Sequence, residues 1–221
     1  MLKRRNLLLA GACAALSGCI RSPIVANAYN VARSEIFGYP DLPITRQNIS
    51  AIPQATMTAR IGDGPEALLI LGQVQGADQF WISGLDRSIL VLREGRVVRT
   101  FGFPENLRDT VSLQDDPVHR LLHKLEAPAR YIRRIDLQGP RRVSLTIEST
   151  LWPLGERTIT IREIDFTTLL VRETNEARGA QWSFENFYWA DPGDGYIWKS
   201  EQHIARSFDP VQFEILKPPA V

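Results

Sequence analysis

The sequence predicts an all-β protein: a curved antiparallel sheet, or an open barrel or sandwich, of about ten strands with one or two short helices. Three observations predict it. From about residue 54 onward, apolar and polar residues alternate with a period of two. Turn residues interrupt that alternation roughly every 8–12 residues. Hydrophobic residues make up 44% of the 221-residue chain and charged residues 23%, which supplies a core and excludes disorder over most of the length. The organisation that follows is a signal peptide over 1–18, a tether and arm with a short helix over 19–50, and a single all-β domain over 51–221.

The chain opens with a positive segment, Lys3, Arg4 and Arg5, followed by a short apolar run from Leu7 to Leu16. This is the anatomy of a secretory signal. The run is too short for a spanning helix, which needs about 20 apolar residues. Leu16, Ser17, Gly18 and Cys19 then look like a bacterial lipobox. A thioether on the Cys19 thiol carries diacylglycerol, and cleavage leaves Cys19 as the first residue. Several acyl chains anchor stably where one is marginal. Cys13, after Ala10-Gly11-Ala12, is a second candidate, but cleavage there cuts into the apolar run. Ile20 in place of Asp favours the outer membrane, by resemblance to sorted lipoproteins of Gram-negative bacteria. Arg4-Arg5 partly resembles a twin-arginine signal, so the secretion route stays open. Removing residues 1–18 takes three of 26 basic residues and none of 25 acidic ones, leaving a net charge of −2. With Cys19 acylated, the mature chain has neither a free thiol nor a disulfide.

Val25 to Phe37 predicts the arm's short helix, stopped by Gly38, Pro40 and Pro43. Strands follow at Ala55–Ile61, Ala67–Leu71 (a continuous apolar run, expected to be buried on both faces), Phe80–Ile82 and Ser88–Leu92. Glu94-Gly95 joins Leu90–Arg93 to Arg96–Phe103 as a hairpin. Residues 104–128 lose the alternation. There Pro117, Leu121, Leu122 and Leu125 suggest a second short helix, capped by Asp115 or Asp116 and ended by Pro128. Strands resume at Tyr131–Leu137, Arg142–Ser149, Arg157–Arg162, Leu169–Thr174 and Gln181–Trp189. Asp191-Pro192-Gly193-Asp194-Gly195 turns the chain into Tyr196–Gln202, and Val211–Leu216 closes it.

Near-equal numbers of basic and acidic residues leave no electrostatic footprint for nucleic acid. Two Cys and three His exclude cysteine-rich zinc sites, and no metal or cofactor is expected beyond the lipid on Cys19. His119 and His123, four apart, read as surface histidines lacking further ligands. The chain has no Gly-x-Ser-x-Gly elbow, phosphate-cradling loop or dinucleotide fingerprint. The carboxylate pairs Asp115-Asp116, Glu163 with Asp165, and Asp191 with Asp194 sit at turns or strand ends, where Asp is common for conformational reasons. These absences predict that the protein is not an enzyme.

Aromatics crowd the last large hairpin. The strand parity puts Trp182, Phe184 and Tyr188 on one face, and Phe187 and Trp189 on the other, with Tyr196 and Trp198 on the return strand. Two uses are open for them: stacking on sugar rings or packing a core. The basic residues Arg130, Arg133, Arg134, Arg141 and Arg142 offer either a site for an anionic polymer or a charged strand edge. Candidate contacts for a polymer or ligand are therefore Trp182, Tyr188, Trp189, Tyr196, Trp198, Arg133 and Arg142.

Several segments in order carry a family resemblance. They are Ile52-Pro53, Thr56-Met57, Arg60-Ile61, Leu71-Gly72, Trp81, Glu94-Gly95-Arg96, Gln114-Asp115-Asp116-Pro117, Tyr188-Trp189-Ala190-Asp191 and Pro210-Val211 through Leu216-Lys217-Pro218. With the lipobox in front, the chain resembles the YjbF/GfcB lipoproteins of group 4 capsule and exopolysaccharide production, over nearly its whole length. The resemblance implies an all-β lipoprotein on the periplasmic face of the outer membrane, held in the inner leaflet by its acyl chains. It implies a non-enzymatic accessory of polysaccharide secretion or assembly, with the polymer or an export protein as partner. It supplies no catalytic residues. Two other readings stand beside it: a lipid- or lipoprotein-binding half-barrel of the cell envelope, and a periplasmic glycan hydrolase.

Overall fold

In the computed structural model, described for residues 44–84, 88–112, 116–119, 122–138 and 142–219, twelve antiparallel strands make one sheet curled into a nearly closed barrel. A six-residue helix, α1 (Arg46–Ala51), precedes it. Thr45 caps this helix by accepting from the Asn48 amide at 3.3 Å. The strands are β1 (Thr56–Ile61), β2 (Ala67–Gln75), β3 (Asp78–Ser83), β4 (Ile89–Arg93), β5 (Arg96–Phe101), β6 (Asn106–Ser112), β7 (Ala129–Gln138), β8 (Arg142–Ile161), β9 (Ile164–Ala177), β10 (Trp182–Ala190), β11 (Ile197–Gln202) and β12 (Val211–Lys217). Neighbours in sequence pair from β1 to β5 and from β6 to β12, and β1 pairs with β12. The anticipated helix at Val25–Phe37, the signal peptide and Cys19 lie outside the described residues.

β5 and β6 are therefore the two free edges, and side chains close the gap between them. The Leu107 amide donates to Thr100 Oγ1 at 2.9 Å. Asn106 accepts from the Phe103 amide at 3.1 Å and donates to the Phe103 carbonyl at 3.0 Å. Near-closure in this way shields edges that would otherwise template aggregation.

Alternation sorts the residues into the core. Met57, Leu69, Trp81, Leu90, Ile147, Val171, Tyr188 and Phe213 turn inward and are almost fully buried. Four expectations are corrected. β2 runs on to Gln75, and within Ala67–Leu71 only Leu69 is fully buried, because the outer face of the barrel is uncovered there. Residues 106–112 form β6 instead of belonging to a loop. The helix expected after Asp116 is a 3-10 turn over Leu122–Lys124.

The fourth correction concerns the strands expected at Arg142–Ser149 and Arg157–Arg162, which are one 20-residue strand, β8. Its pairing with β7 ends at Leu151 against Ala129, so Pro153 lies just beyond the part that has neighbours on both sides. A register shift between Pro153 and Glu156, with Gly155 at φ 82°, carries the strand on as a two-stranded extension with β9. That extension is tied down by an Arg162–Glu66 ion pair and by Phe166, whose ring centroid lies 4.5 Å from that of Trp198.

Candidate functional site

The interior of the barrel holds a charged cluster. It starts at the β4–β5 turn, where Gly95 has φ 87° and a Cβ would lie 2.4 Å from Ile197 Cδ1. Glycine alone lets this turn close onto β11. The turn delivers Arg96 inward, where it is 2% exposed. Arg96 Nη2 lies 2.8 Å from Glu173 Oε1 and Nε lies 2.6 Å from Asp116 Oδ2. Arg133 of β7 reaches the same Glu173 oxygen at 3.2 Å, and donates to Asn175 at 2.9 Å and to Ser149. On the other Glu173 oxygen, Asn186 Nδ2 donates at 2.6 Å and the Tyr188 hydroxyl at 3.1 Å. The Tyr131 hydroxyl donates to Oε1.

Burial by itself pushes the Glu173 carboxyl upward. The Arg133 and Arg96 guanidiniums, with hydrogen bonds from Arg96 and Tyr131, outweigh it and hold Glu173 well below the usual carboxylate range. Burial pushes the Tyr131 and Tyr188 hydroxyls well above their ordinary values, so both remain protonated donors. Two guanidiniums face two carboxylates, and both oxygens of Glu173 are occupied. A carboxylate so saturated has no lone pair left to act as a base, and the cluster acts as a clamp across β5, β7, β8, β9 and β10.

The outward residues of the same strands form a different surface. Trp152 of β8, Arg172 of β9 and Phe187 of β10 lie side by side in register. Arg172 Cζ sits 6.0 Å from the Trp152 ring centroid, and Trp152 Nε1 donates to Thr174 Oγ1 at 3.2 Å. Trp189, two residues along β10, has its ring centroid 6.3 Å from that of Phe187, and Lys199 Nζ lies 5.6 Å from it. Beside this row runs a groove of about 700 Å³ lined by Arg130, Thr150, Thr174, Glu176, Arg178 and Ser183 among others.

The residues singled out in the sequence divide between these settings. Trp182 and Tyr188 point inward, 8% and 0% exposed, with Trp182 stacked on Phe184 at 4.2 Å, so neither presents a face to a polymer. Arg133 is likewise taken up by Glu173. Tyr196 and Trp198 pack edge to face at 5.0 Å beneath the β10–β11 turn, with Trp198 Nε1 3.4 Å from Asp191 Oδ2. Burial, then the Asp194 charge, pushes the Tyr196 hydroxyl well above its ordinary value. Trp189 alone of the aromatic candidates lies on the outer face of β10, half-buried. Arg142 opens β8, and its side chain lies outside the described residues.

Two of the three carboxylate pairs lie at turns; Asp115 of the third lies outside the described residues. Asp191 and Asp194 accept from the amides of Gly193 and Tyr196, each at 2.8 Å, and Asp165 accepts from Thr160 Oγ1 at 2.7 Å. Asp116 belongs to the interior cluster, with His119 Nε2 3.9 Å from its Oδ2. Among the described residues, no three potential metal ligands group together and no helix is long and apolar enough to cross a membrane.

Sequence reasoning missed Arg96, Glu173, Asn186 and Trp152. A signal for Glu173 existed: Val171, Glu173, Asn175 and Ala177 share the inward parity of β9, which a solvated glutamate would not.

Comparison with known proteins gives a consistent result. The family described as group 4 capsule polysaccharide lipoprotein gfcB, YjbF matches residues 29–216. The uncharacterized lipoprotein GfcB of Escherichia coli (strain K12) is 26% identical over 215 residues, covering 97% of this chain and 99% of that one. The uncharacterized lipoprotein YjbF of the same organism is 24% identical over 217 residues, covering 98% of each. The crystal structure of the hypothetical lipoprotein YmcC from Escherichia coli (K12) superposes with a TM-score of 0.73 at 24% identity, covering 91% of this chain and 98% of that one, and so shares the fold.

Proposed function

The chain belongs to the group 4 capsule polysaccharide lipoprotein family, and on that premise we propose that it is a non-enzymatic, lipid-anchored accessory of polysaccharide export. The acyl chains on Cys19 hold it in the inner leaflet of the outer membrane, with the barrel in the periplasm. There it supports secretion of the polymer, by binding it or by holding another export component. The observation that carries this reading is the family match behind the Leu16-Ser17-Gly18-Cys19 lipobox. Two features weigh against the other readings. An interior filled by Trp81, Tyr188, Phe213 and the Glu173 cluster does not suit an acyl-chain carrier. Carboxylates that cap turns do not suit a hydrolase, which needs two flanking one bond.

Surface polysaccharide, compared between the wild type, a deletion strain and the deletion strain carrying Cys19→Ala, tests the proposal. The deletion abolishes surface polymer, and Cys19→Ala, exported at normal abundance, fails to restore it. Unchanged polymer in the deletion strain overturns the export role; full restoration by Cys19→Ala overturns the need for the anchor.

A further inference from the structure

Resting on that reading, we infer that the outer face of β8–β10 is the polymer-binding surface: a strip of Trp152, Arg172, Phe187 and Trp189 on which an uncharged sugar chain stacks, with the Thr150–Thr174 groove alongside to take its hydroxyls. Arg172 lies between Trp152 on one strand and Phe187 on the next, and its Nη1 is 3.7 Å from Glu185 Oε1. The Arg172 side chain is 37% exposed. A guanidinium flanked by two rings and held by one long, exposed ion pair can turn its outer N–H groups to a sugar hydroxyl.

Trp152 is 37% exposed although it is among the largest side chains, and its indole is fixed in place by Thr174 and Arg172. A fixed, exposed indole costs a ligand little ordering entropy. Thr150 and Thr174 stand directly opposite one another on β8 and β9 and line the groove; Thr174 Oγ1 accepts from Trp152 and donates to the Thr150 carbonyl at 3.4 Å, so the Thr150 hydroxyl is the one placed to meet a ligand.

The charges select among occupants. Lys199 is paired with Glu214 at 2.6 Å, Arg178 with Glu148, and Arg172 with Glu185. The strip therefore offers flat apolar rings interleaved with satisfied charges and hydroxyls. It has no unbalanced positive field for a polyanion, and Arg172 and Lys199 stand among its rings. Rings with hydroxyls at their margin match the two chemistries of a sugar, an apolar C–H face and an equatorial hydroxyl rim.

The test uses the full mature chain in detergent and the exopolysaccharide purified from the producing strain, in affinity electrophoresis. Wild type is retarded by the polymer, and high salt leaves the retardation nearly unchanged. Trp152→Ala and Arg172→Ala each weaken binding roughly tenfold, about 1.4 kcal/mol, and Ile82→Ala, on the outer face of β3, does not. Melting temperature checks that each variant is folded. Thr150→Val, which removes one hydroxyl and keeps the volume, weakens binding by a smaller factor. Wild type that fails to bind, or Trp152→Ala and Arg172→Ala that bind as wild type does, overturns the inference while leaving the export role to its own deletion test. Binding abolished by salt overturns the uncharged-ligand assignment.

Discussion

Strands β8, β9 and β10 present two faces that use the same kinds of residue in opposite ways. Inward, Arg96 and Arg133 meet Glu173 almost wholly shielded from solvent, and Tyr131 and Tyr188 direct their hydroxyls to that one carboxylate. Outward, Arg172 meets Trp152 and Phe187 while more than a third of its side chain remains accessible. The inner face holds the fold's energy, and the outer face is the one open to a ligand. A buried ion needs its partner because it has lost its water. A surface ion pair is replaced by water at little cost, so the outer groups are free to exchange partners with a ligand.

The largest effect that can break this comparison comes from Glu173. Glu173→Ala leaves Arg96 and Arg133 buried with only Asp116 opposite them. The expected loss is about 3–5 kcal/mol of unfolding free energy in a urea titration. Arg172→Ala on the outer face is expected to cost about 1 kcal/mol or less in the same titration. Similar losses for the two would mean that the faces do not differ as described.

Gly95→Val attacks the turn that delivers Arg96. A β-branched residue at φ 87° is strained, and its Cβ collides with Ile197. The expected cost is about 2 kcal/mol or more. Gly76, at φ 61° but with open space around it, isolates the backbone strain: Gly76→Val should cost less than Gly95→Val.

Much of the barrel was legible in the sequence because alternation is a direct image of a sheet with one buried face. β7, β10 and β12 keep that period throughout. β6 was hidden because its register shifts between Leu107 and Asp109, so its inward residues, Leu107 and Thr110, are three apart. β8 was split in two because Pro153 and Gly155 ordinarily break strands, and nothing local reveals that β7 stops at Ala129. The same gap concealed Trp152. Of the site, the outward position of Trp189 was legible from parity. The polar interior was not, since only the closing of the sheet brings Arg96, Arg133 and Glu173 together across 77 residues of chain.

Acid sharpens the comparison through sign. Glu173 has its folded pKa lowered, so its contribution to stability is complete above the unfolded carboxylate pKa and drains away as pH falls below it. Between about pH 4 and pH 3, this one group removes up to about 1.4 kcal/mol per pH unit. Asp78 contributes in the same direction: burial raises its pKa, but Arg93 and Arg99 together lower it further. Glu173→Gln, measured across the same range, should show a shallower decline than wild type. Equal slopes would assign the acid sensitivity elsewhere.

The smallest effect is the one that separates binding from folding. Trp152→Ala removes an exposed indole whose polar contacts are one hydrogen bond to Thr174 and a stacking contact with Arg172. Each is worth about 1 kcal/mol or less at such exposure, and water replaces both. The unfolding free energy should therefore fall by roughly 1 kcal/mol at most, with the urea dependence unchanged. Buried aromatics set the contrast. Tyr188→Ala opens a void beside Glu173 and should cost about 3–5 kcal/mol. If Trp152→Ala proves as costly as Tyr188→Ala, the indole is covering the sheet and is not available to a sugar. If it costs little, the exposed ring is one that the fold can do without, and it stays available to a sugar.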